Sequence, residues 1–252
     1  MAKSAFDHCA DAYSRYRPDY PPAVFEGLEG LTGPPARRLI ADVGAGTGKF
    51  THALAARGWR VLAIDPSVNM LKEGRQSQSP RPDISHVVAV AESLPLADAA
   101  IPAITCAQAF HWFNPPVALA EFARVLHPHG TLLLTWNNRD TDDPFVADYE
   151  RLIAEWNPAY RCEYRRQDWA GKVAATGLFA PMTCSSFQWD WHMPAEAFVG
   201  FARSASYLRN VIPAARWQAF EQSVRDMLTR HFAAGECRVP MLTEAWTTSR
   251  LP

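Results

Sequence analysis

The chain has no long apolar run: no segment of its 252 residues approaches the ~18 consecutive apolar residues of a membrane span. Cysteine is scarce, with Cys9, Cys106, Cys162, Cys184 and Cys237 only. Their number is odd and none are spaced Cys-x-x-Cys, so neither a disulfide framework nor a zinc site is suggested. Net charge is nearly absent, 25 basic against 26 acidic side chains. Tight nonspecific binding to nucleic acid needs concentrated positive charge, which this balance disfavours, while a local basic pocket remains open. Met1 to His8 lack the apolar stretch of a secretory signal. The expectations are a cytoplasmic protein with no membrane, metal or nucleic-acid partner. No internal repeat or low-complexity tract is evident. What is present is enough apolar material, 48%, to bury a real core. The length suits one sizeable α/β domain with a cap, with two small domains as the alternative.

The informative stretch is Asp42-Val43-Gly44-Ala45-Gly46-Thr47-Gly48. It follows the apolar run Leu39-Ile40-Ala41, which reads as a buried strand, and precedes Lys49 to Arg57, which reads as a helix. Glycine allows positive φ and lacks the Cβ that would keep a ligand from the backbone. The helix N-terminus is expected to add unpaired N–H donors beside the turn. A second strand, Trp59 to Ile64, ends at Asp65, 21 positions after Gly44. An acid at that distance suits hydrogen bonds to ribose hydroxyls. The glycine spacing is Gly-x-Gly-x-Gly, not the Gly-x-Gly-x-x-Gly of dinucleotide binders. Two plainer readings stand beside these: a tight turn without a ligand, and a helix N-cap made by Asp65 or Ser67.

From Leu39 to Trp136 apolar runs and helical stretches alternate, the runs ending at about Val43, Ile64, Val90, Cys106 and Trp136. Such alternation predicts a mostly parallel, doubly wound α/β sheet covered on both faces. Right-handed crossovers bring the strand C-termini, and with them Gly44, Asp65, Glu92 and Gln108, to one edge. Beyond it, helices are expected at Pro144–Trp156, Lys172–Phe179, Pro194–Leu208 and Pro213–Phe232. Strands are expected at Met182–Trp191 and Val239–Ser249. The two helices between the late strands, within residues 192–236, are expected to cap the site. An N-terminal arm over residues 1–22 is stiffened by prolines.

The motifs, in order, resemble class I S-adenosylmethionine-dependent methyltransferases, and among them the trans-aconitate methyltransferase-like branch. Asp42 to Gly48 is similar to the first motif of that family, Asp65 to Leu71 to its second-strand acidic segment, and Val87 to Leu96 to its third strand and adenine loop. Ile104 to Phe113 is similar to the fourth strand and the mouth of the site, and Arg124 to Leu132 to the turn into the fifth strand. The resemblance implies a seven-stranded Rossmann-like sheet, one methyltransferase domain over residues 1–252 and a cofactor-binding core at 38–136. It implies S-adenosylmethionine as cofactor, with S-adenosylhomocysteine as product. By the same resemblance Gly44, Gly46 and Gly48 run along the methionine part and ribose, and Asp42 fixes that loop. Asp65 takes the ribose hydroxyls, Ala91 and Glu92 flank adenine, and Gln108 sits near the methionine end. Tyr13 and Arg17, on the arm, close over it.

His111 is the candidate general base at the mouth, with an ordinary pKa near ~6.5 that suits a hydroxyl or amine acceptor. Its alternative is a wall residue beside Trp112 and Phe113. The expected acceptor is a small molecule, with an acidic one suggested by Arg161, Arg165 and Arg166 and by Tyr207 and Arg209. A solvated basic face is the plainer account of those residues. Competing functions are a nicotinamide-dependent oxidoreductase, a cofactor-binding regulatory protein without turnover, and methylation of a macromolecule, since fold does not decide acceptor class.

Overall fold

The computed structural model describes residues 17–36, 38–76, 81–161, 167–233 and 235–252. Helix α1 (Pro22–Thr32) begins with proline, where a missing N–H costs nothing. The apolar runs then become strands and the stretches between them helices: β1 (Leu39–Val43), α2 (Lys49–Ala56), β2 (Arg60–Ile64), α3 (Val68–Gln76), β3 (Ile84–Val87) and β4 (Ile101–Ala107). A 3-10 turn (Phe110–Trp112) leads into α4 (Pro115–Val125) and β5 (Leu126–Arg139). After these come α5 (Pro144–Trp156), α6 (Trp169–Ala174), β6 (Thr183–Pro194), α7 (Ala195–Ser204), α8 (Ser206–Arg209), α9 (Trp217–His231) and β7 (Glu236–Ser249). The strands form one sheet in the order β3-β2-β1-β4-β5-β7-β6. Pairing is parallel from β3 to β5 and antiparallel for β5–β7 and β6–β7. The fold is therefore α/β with a mostly parallel, Rossmann-like sheet.

Alternate residues of each strand feed opposite faces. Ile40 and Leu133 pack with Phe25, Phe50, Leu54 and Trp59. Ala41, Val43, Leu132 and Leu134 pack with Phe110, Phe122 and Trp169. A third cluster joins α5, α7 and α9 through Phe145, Tyr149, Phe198, Phe201 and Phe220. Each fully buried phenylalanine contributes about 1.5–3 kcal/mol through apolar area removed from water.

Some boundaries differ from the sequence pattern, each for a local reason. The third strand stops at Val87, because β2 ends at its partner Ile64; Val88 and Val90 are left exposed. β5 runs on to Arg139, because β7 supplies a ladder up to Met241. The helix expected from Lys172 starts at Trp169, where the Asp168 side chain accepts from Gly171 N–H. The helix expected over Pro194–Leu208 breaks at Ala205, which is extended. Among the described residues, no helix is long and apolar enough to cross a membrane.

Candidate functional site

The ends of β1, β2 and β4 border a cavity of about 910 Å³. Its floor is the turn after β1. Gly44 has φ 75°, and a Cβ there would stand 2.4 Å from the Ala109 Cβ, so only glycine lets the turn close against the segment after β4. Four amides of this turn have protein partners, whereas no hydrogen bond joins the Lys49, Phe50 or Thr51 N–H of the helix start to another described residue. Gly44 and Ala45 donate to the Ile64 carbonyl at 2.8 and 3.0 Å, and Gly48 to Ala45 at 2.9 Å. Gly46 N–H donates to Asp65 Oδ2 at 2.8 Å. The turn thus offers close approach, with these four donors spent on its own shape. Gly44 and Gly46 line the cavity, while Gly48 does not. Gly48 is the left-handed N-cap of α2, and a Cβ on it would meet His52 instead of the cavity.

The acids at the crest are held in different ways. Asp42 is buried, accepting from Thr51 Oγ1 at 2.5 Å and Thr105 Oγ1 at 2.9 Å, and so ties β1 to α2 and β4. Burial pushes its carboxyl up to about 6, against the pull of the two hydroxyls. Asp65 bridges the turn and α3: besides Gly46, its Oδ1 accepts from Ser67 N–H at 2.8 Å. Ser67 Oγ in turn accepts from Met70 N–H at 3.2 Å, the capping role for α3. Ala91 is buried against the cavity, and Glu92 Oε1 accepts from Asn114 N–H at 2.7 Å, just before α4. Gln108 sits in the left-handed region at φ 57°, and its Nε2 donates to the Asn137 carbonyl at 3.1 Å.

His111 lines the mouth. Its Nδ1 accepts from Trp136 Nε1–H at 3.2 Å, and Trp136 stacks on Trp169 with centroids 4.7 Å apart. Burial alone pushes the imidazole down to about 4. With Nδ1 accepting, the neutral ring carries its proton on Nε2. This arrangement suits a hydrogen-bond donor more than a proton acceptor.

The far end of the cavity lies under the helices. Arg17 and Arg139 stand beside one ring, their guanidinium carbons 5.3 and 5.9 Å from the Phe201 centroid. Arg139 is 8% exposed and gives its Nε and Nη2 to Glu150 Oε1 at 3.0 and 2.6 Å. Arg161 and Tyr207 line this end and Arg209 does not; Tyr13, Arg165 and Arg166 lie outside the described residues. Sequence reasoning missed Trp136, Arg139, Asn157 and Phe201 as lining residues. The signal for one of them was present: Arg139 follows the apolar Leu132–Trp136 run by only two asparagines.

A family model described as a methyltransferase domain matches residues 41–134, which hold the turn, Asp65, Gln108 and His111. An uncharacterized methyltransferase of Mycobacterium tuberculosis is 32% identical over 227 residues, covering 90% of this chain and 86% of that one. The chain belongs to the methyltransferase family. A demethylmenaquinone methyltransferase of Renibacterium salmoninarum is 36% identical over 126 residues, half of this methyltransferase and 52% of that one. Solved structures share the fold. A candidate type II methyltransferase of Anaeromyxobacter dehalogenans superimposes with TM-score 0.69 at 24% identity, covering 94% of this chain and 99% of that one. Phosphoethanolamine N-methyltransferase 2 of Haemonchus contortus, solved with phosphomonomethylethanolamine and S-adenosylhomocysteine, gives 0.56 at 13%, covering 98% and 58%.

Proposed function

We propose that this methyltransferase uses S-adenosylmethionine to methylate a small-molecule acceptor, in the reducing cytoplasm and within the branch its motifs resemble. The observation that carries this reading is one continuous cavity. It starts on a turn where a side chain is sterically excluded and reaches a space bordered by Phe201 and Tyr207 of the late helices. The residues present fit the cofactor. Gly44 leaves room for a chain against the backbone, and Asp65 puts a carboxylate at the end of β2, where ribose hydroxyls would donate. Ala91 and Glu92 border the space beyond β3 for adenine, and Gln108, with Arg17, borders the methionine end. Asp42 fixes the turn from beneath.

The cofactor, when bound, supplies an electrophilic methyl group on a sulfonium. This chain's residues orient and enclose. Trp136, Phe113 and Phe201 exclude water from the acceptor space, which removes competing solvent and strengthens polar contacts there. His111, with Nδ1 held by Trp136, offers Nε2–H to orient an acceptor oxygen.

Calorimetry on the full chain tests the reading. S-adenosylhomocysteine is expected to bind and NAD is not. NAD binding alone would favour the oxidoreductase, and S-adenosylhomocysteine binding without transfer to acids, phenols or amines would favour the regulatory protein.

A further inference from the structure

Apart from Lys49, the charges lining the cavity are sorted by sign. The acids Asp42, Asp65 and Glu92 stand at the ends of β1 and β2 and after β3, whereas the arginines Arg17, Arg139 and Arg161 stand at the other end. The register measures how far apart the two ends are. Asp42 is level with Thr105 on β4, and Thr105 with Leu133 on β5. Arg139 lies six residues further along β5, roughly 20 Å of strand above Asp42, and two strands across.

Two observations at that far end point to a ligand. Arg139 is more than nine-tenths buried and borders the cavity, which its ion-pair partner Glu150 does not line. Its Nη1 makes no hydrogen bond among the described residues, because Nε and Nη2 both go to Glu150. Beside it, Tyr207 lines the same space, and its hydroxyl is buried at the cavity wall with no hydrogen-bond partner among the described residues. Tyr207 packs on Tyr160 with centroids 4.8 Å apart, and both are near enough to act on the charge of Arg139. A buried hydroxyl left unpaired costs about 1–3 kcal/mol, and at the wall of a cavity a polar group of a ligand would offset that cost.

We propose that Arg139 and Tyr207 form an oxyanion anchor, which holds a carboxylate or phosphate group of the methyl acceptor away from the reacting atom. The inference rests on the methyltransferase reading above and names the substrate class of that site: a small anionic molecule with a planar or aromatic body. The guanidinium gives the charge and one free edge, and the phenol gives a neutral donor whose direction selects the pose. Phe201, Trp136 and the Tyr160 ring supply flat walls for the body. Arg17 and Arg161 keep the field at this end positive, which draws an anion in.

Calorimetry on the full chain saturated with S-adenosylhomocysteine tests this, with benzoate and phenyl phosphate as anionic probes and benzamide and benzyl alcohol as neutral ones. At least one anion is expected to bind about tenfold more tightly than the neutral probes, and the two anionic arms separate a carboxylate from a phosphate as the natural group. Tyr207→Phe is expected to weaken the preferred anion about five- to tenfold, with S-adenosylhomocysteine affinity unchanged and a melting temperature no lower than wild type, because it removes an unpaired buried hydroxyl. Arg139→Met alone would take the ion-pair partner from the Glu150 carboxylate, so the second variant is Arg139→Met with Glu150→Leu, an apolar replacement of the whole pair. It is expected to bring the ratio of anionic to neutral affinity to about one. Equal binding of charged and neutral probes by the wild type overturns the anchor, as does an anion preference that survives both variants. Loss of S-adenosylhomocysteine binding in the wild type would overturn the cofactor reading instead, and the same titrations without it still read the anchor.

Discussion

At the crest of the sheet the cavity is lined by acids, Asp42, Asp65 and Glu92, whereas under the helices it is lined by arginines, Arg17, Arg139 and Arg161. Lys49 is the exception at the crest, and it is turned onto the Arg17 carbonyl and Asp19. The two ends also differ in how the chain builds them. The crest comes from consecutive strand–turn units, each acid fixed by the same or a neighbouring unit: Asp65 by Gly46 and Ser67, Glu92 by Asn114, Asp42 by two hydroxyls. The far end is assembled from Arg139 on β5, Asn157 after α5, Phe201 on α7 and Tyr207 on α8, which meet only when the helices pack. A rigid crest fits a ligand common to a whole family, and an assembled end can change acceptor without disturbing it.

Gly44→Val is the largest expected break. It forces a β-branched residue to φ 75° and drives its Cβ into Ala109. Strain and overpacking together cost about 4 kcal/mol or more. A thermal melt should show a large loss, with S-adenosylhomocysteine binding abolished. Binding that survives would mean the turn tolerates a side chain and is not the cofactor floor.

Glu150→Leu strikes the other end. It leaves Arg139 cationic, buried and unpaired, and takes the acceptor from Tyr160 Oη, which now donates to Glu150 Oε2 at 3.0 Å. The expected loss is about 3–5 kcal/mol of stability by denaturant titration. Below the melting range S-adenosylhomocysteine affinity should stay within about threefold. A parallel fall in affinity would show that the two ends are coupled and not independently built.

Asp42 gives the crest a pH signature. Burial raises its carboxyl from 3.8 to about 6, so the folded state takes up the proton more readily than the unfolded chain. The stability this provides is complete below about pH 4 and is lost as pH rises through 6, about 3 kcal/mol in all. His111 acts in the opposite sense: its folded pKa is depressed to about 4, so stability falls as pH drops from 6.5 toward 4. The raw curve therefore mixes two slopes. The difference between wild type and Asp42→Asn isolates one, and wild type should lose ground to the variant between pH 4 and 7. A flat difference would mean that Asp42 is ionised at no cost.

Asp65→Ala should weaken S-adenosylhomocysteine about ten- to a hundredfold by calorimetry, through the loss of a carboxylate worth about 1.5–3 kcal/mol in charge-assisted hydrogen bonds. It removes the Gly46 tie as well as the ribose partner, so the unliganded melting temperature should also drop slightly. Unchanged affinity would take Asp65 out of the ribose role.

The crest was legible because its signals are local. A strand, a glycine turn and a helix sit within residues 39–56, and the parallel sheet follows from their repetition. What could not be read was where backbone partners go. Nothing in Gly44 to Gly48 announces that the turn spends its amides on Ile64, Ala45 and Asp65. Nor does Val88 announce that β2 has run out of partners. The far end was nearly silent, since Arg139 and Tyr207 are 68 residues apart in sequence and are brought together by the packing of Phe145, Tyr149, Phe198 and Phe201. Tyr207 drew notice only for its place near a helix end.

His111 should give the smallest effect, and it sharpens the border between the two ends. Its Nδ1 is taken by Trp136 and its imidazole is depressed to about 4, so at neutral pH it is an uncharged donor. A base of that strength holds almost no proton-accepting advantage over water-exposed carboxylates at pH 7. His111→Gln keeps a donor near the same place and should lower turnover less than about tenfold once an acceptor is known. Its pH–rate profile between 5.5 and 8.5 should match that of the wild type. A limb near 6.5 present in wild type and missing in His111→Gln would restore the general base, and with it an acceptor that must lose a proton on attack.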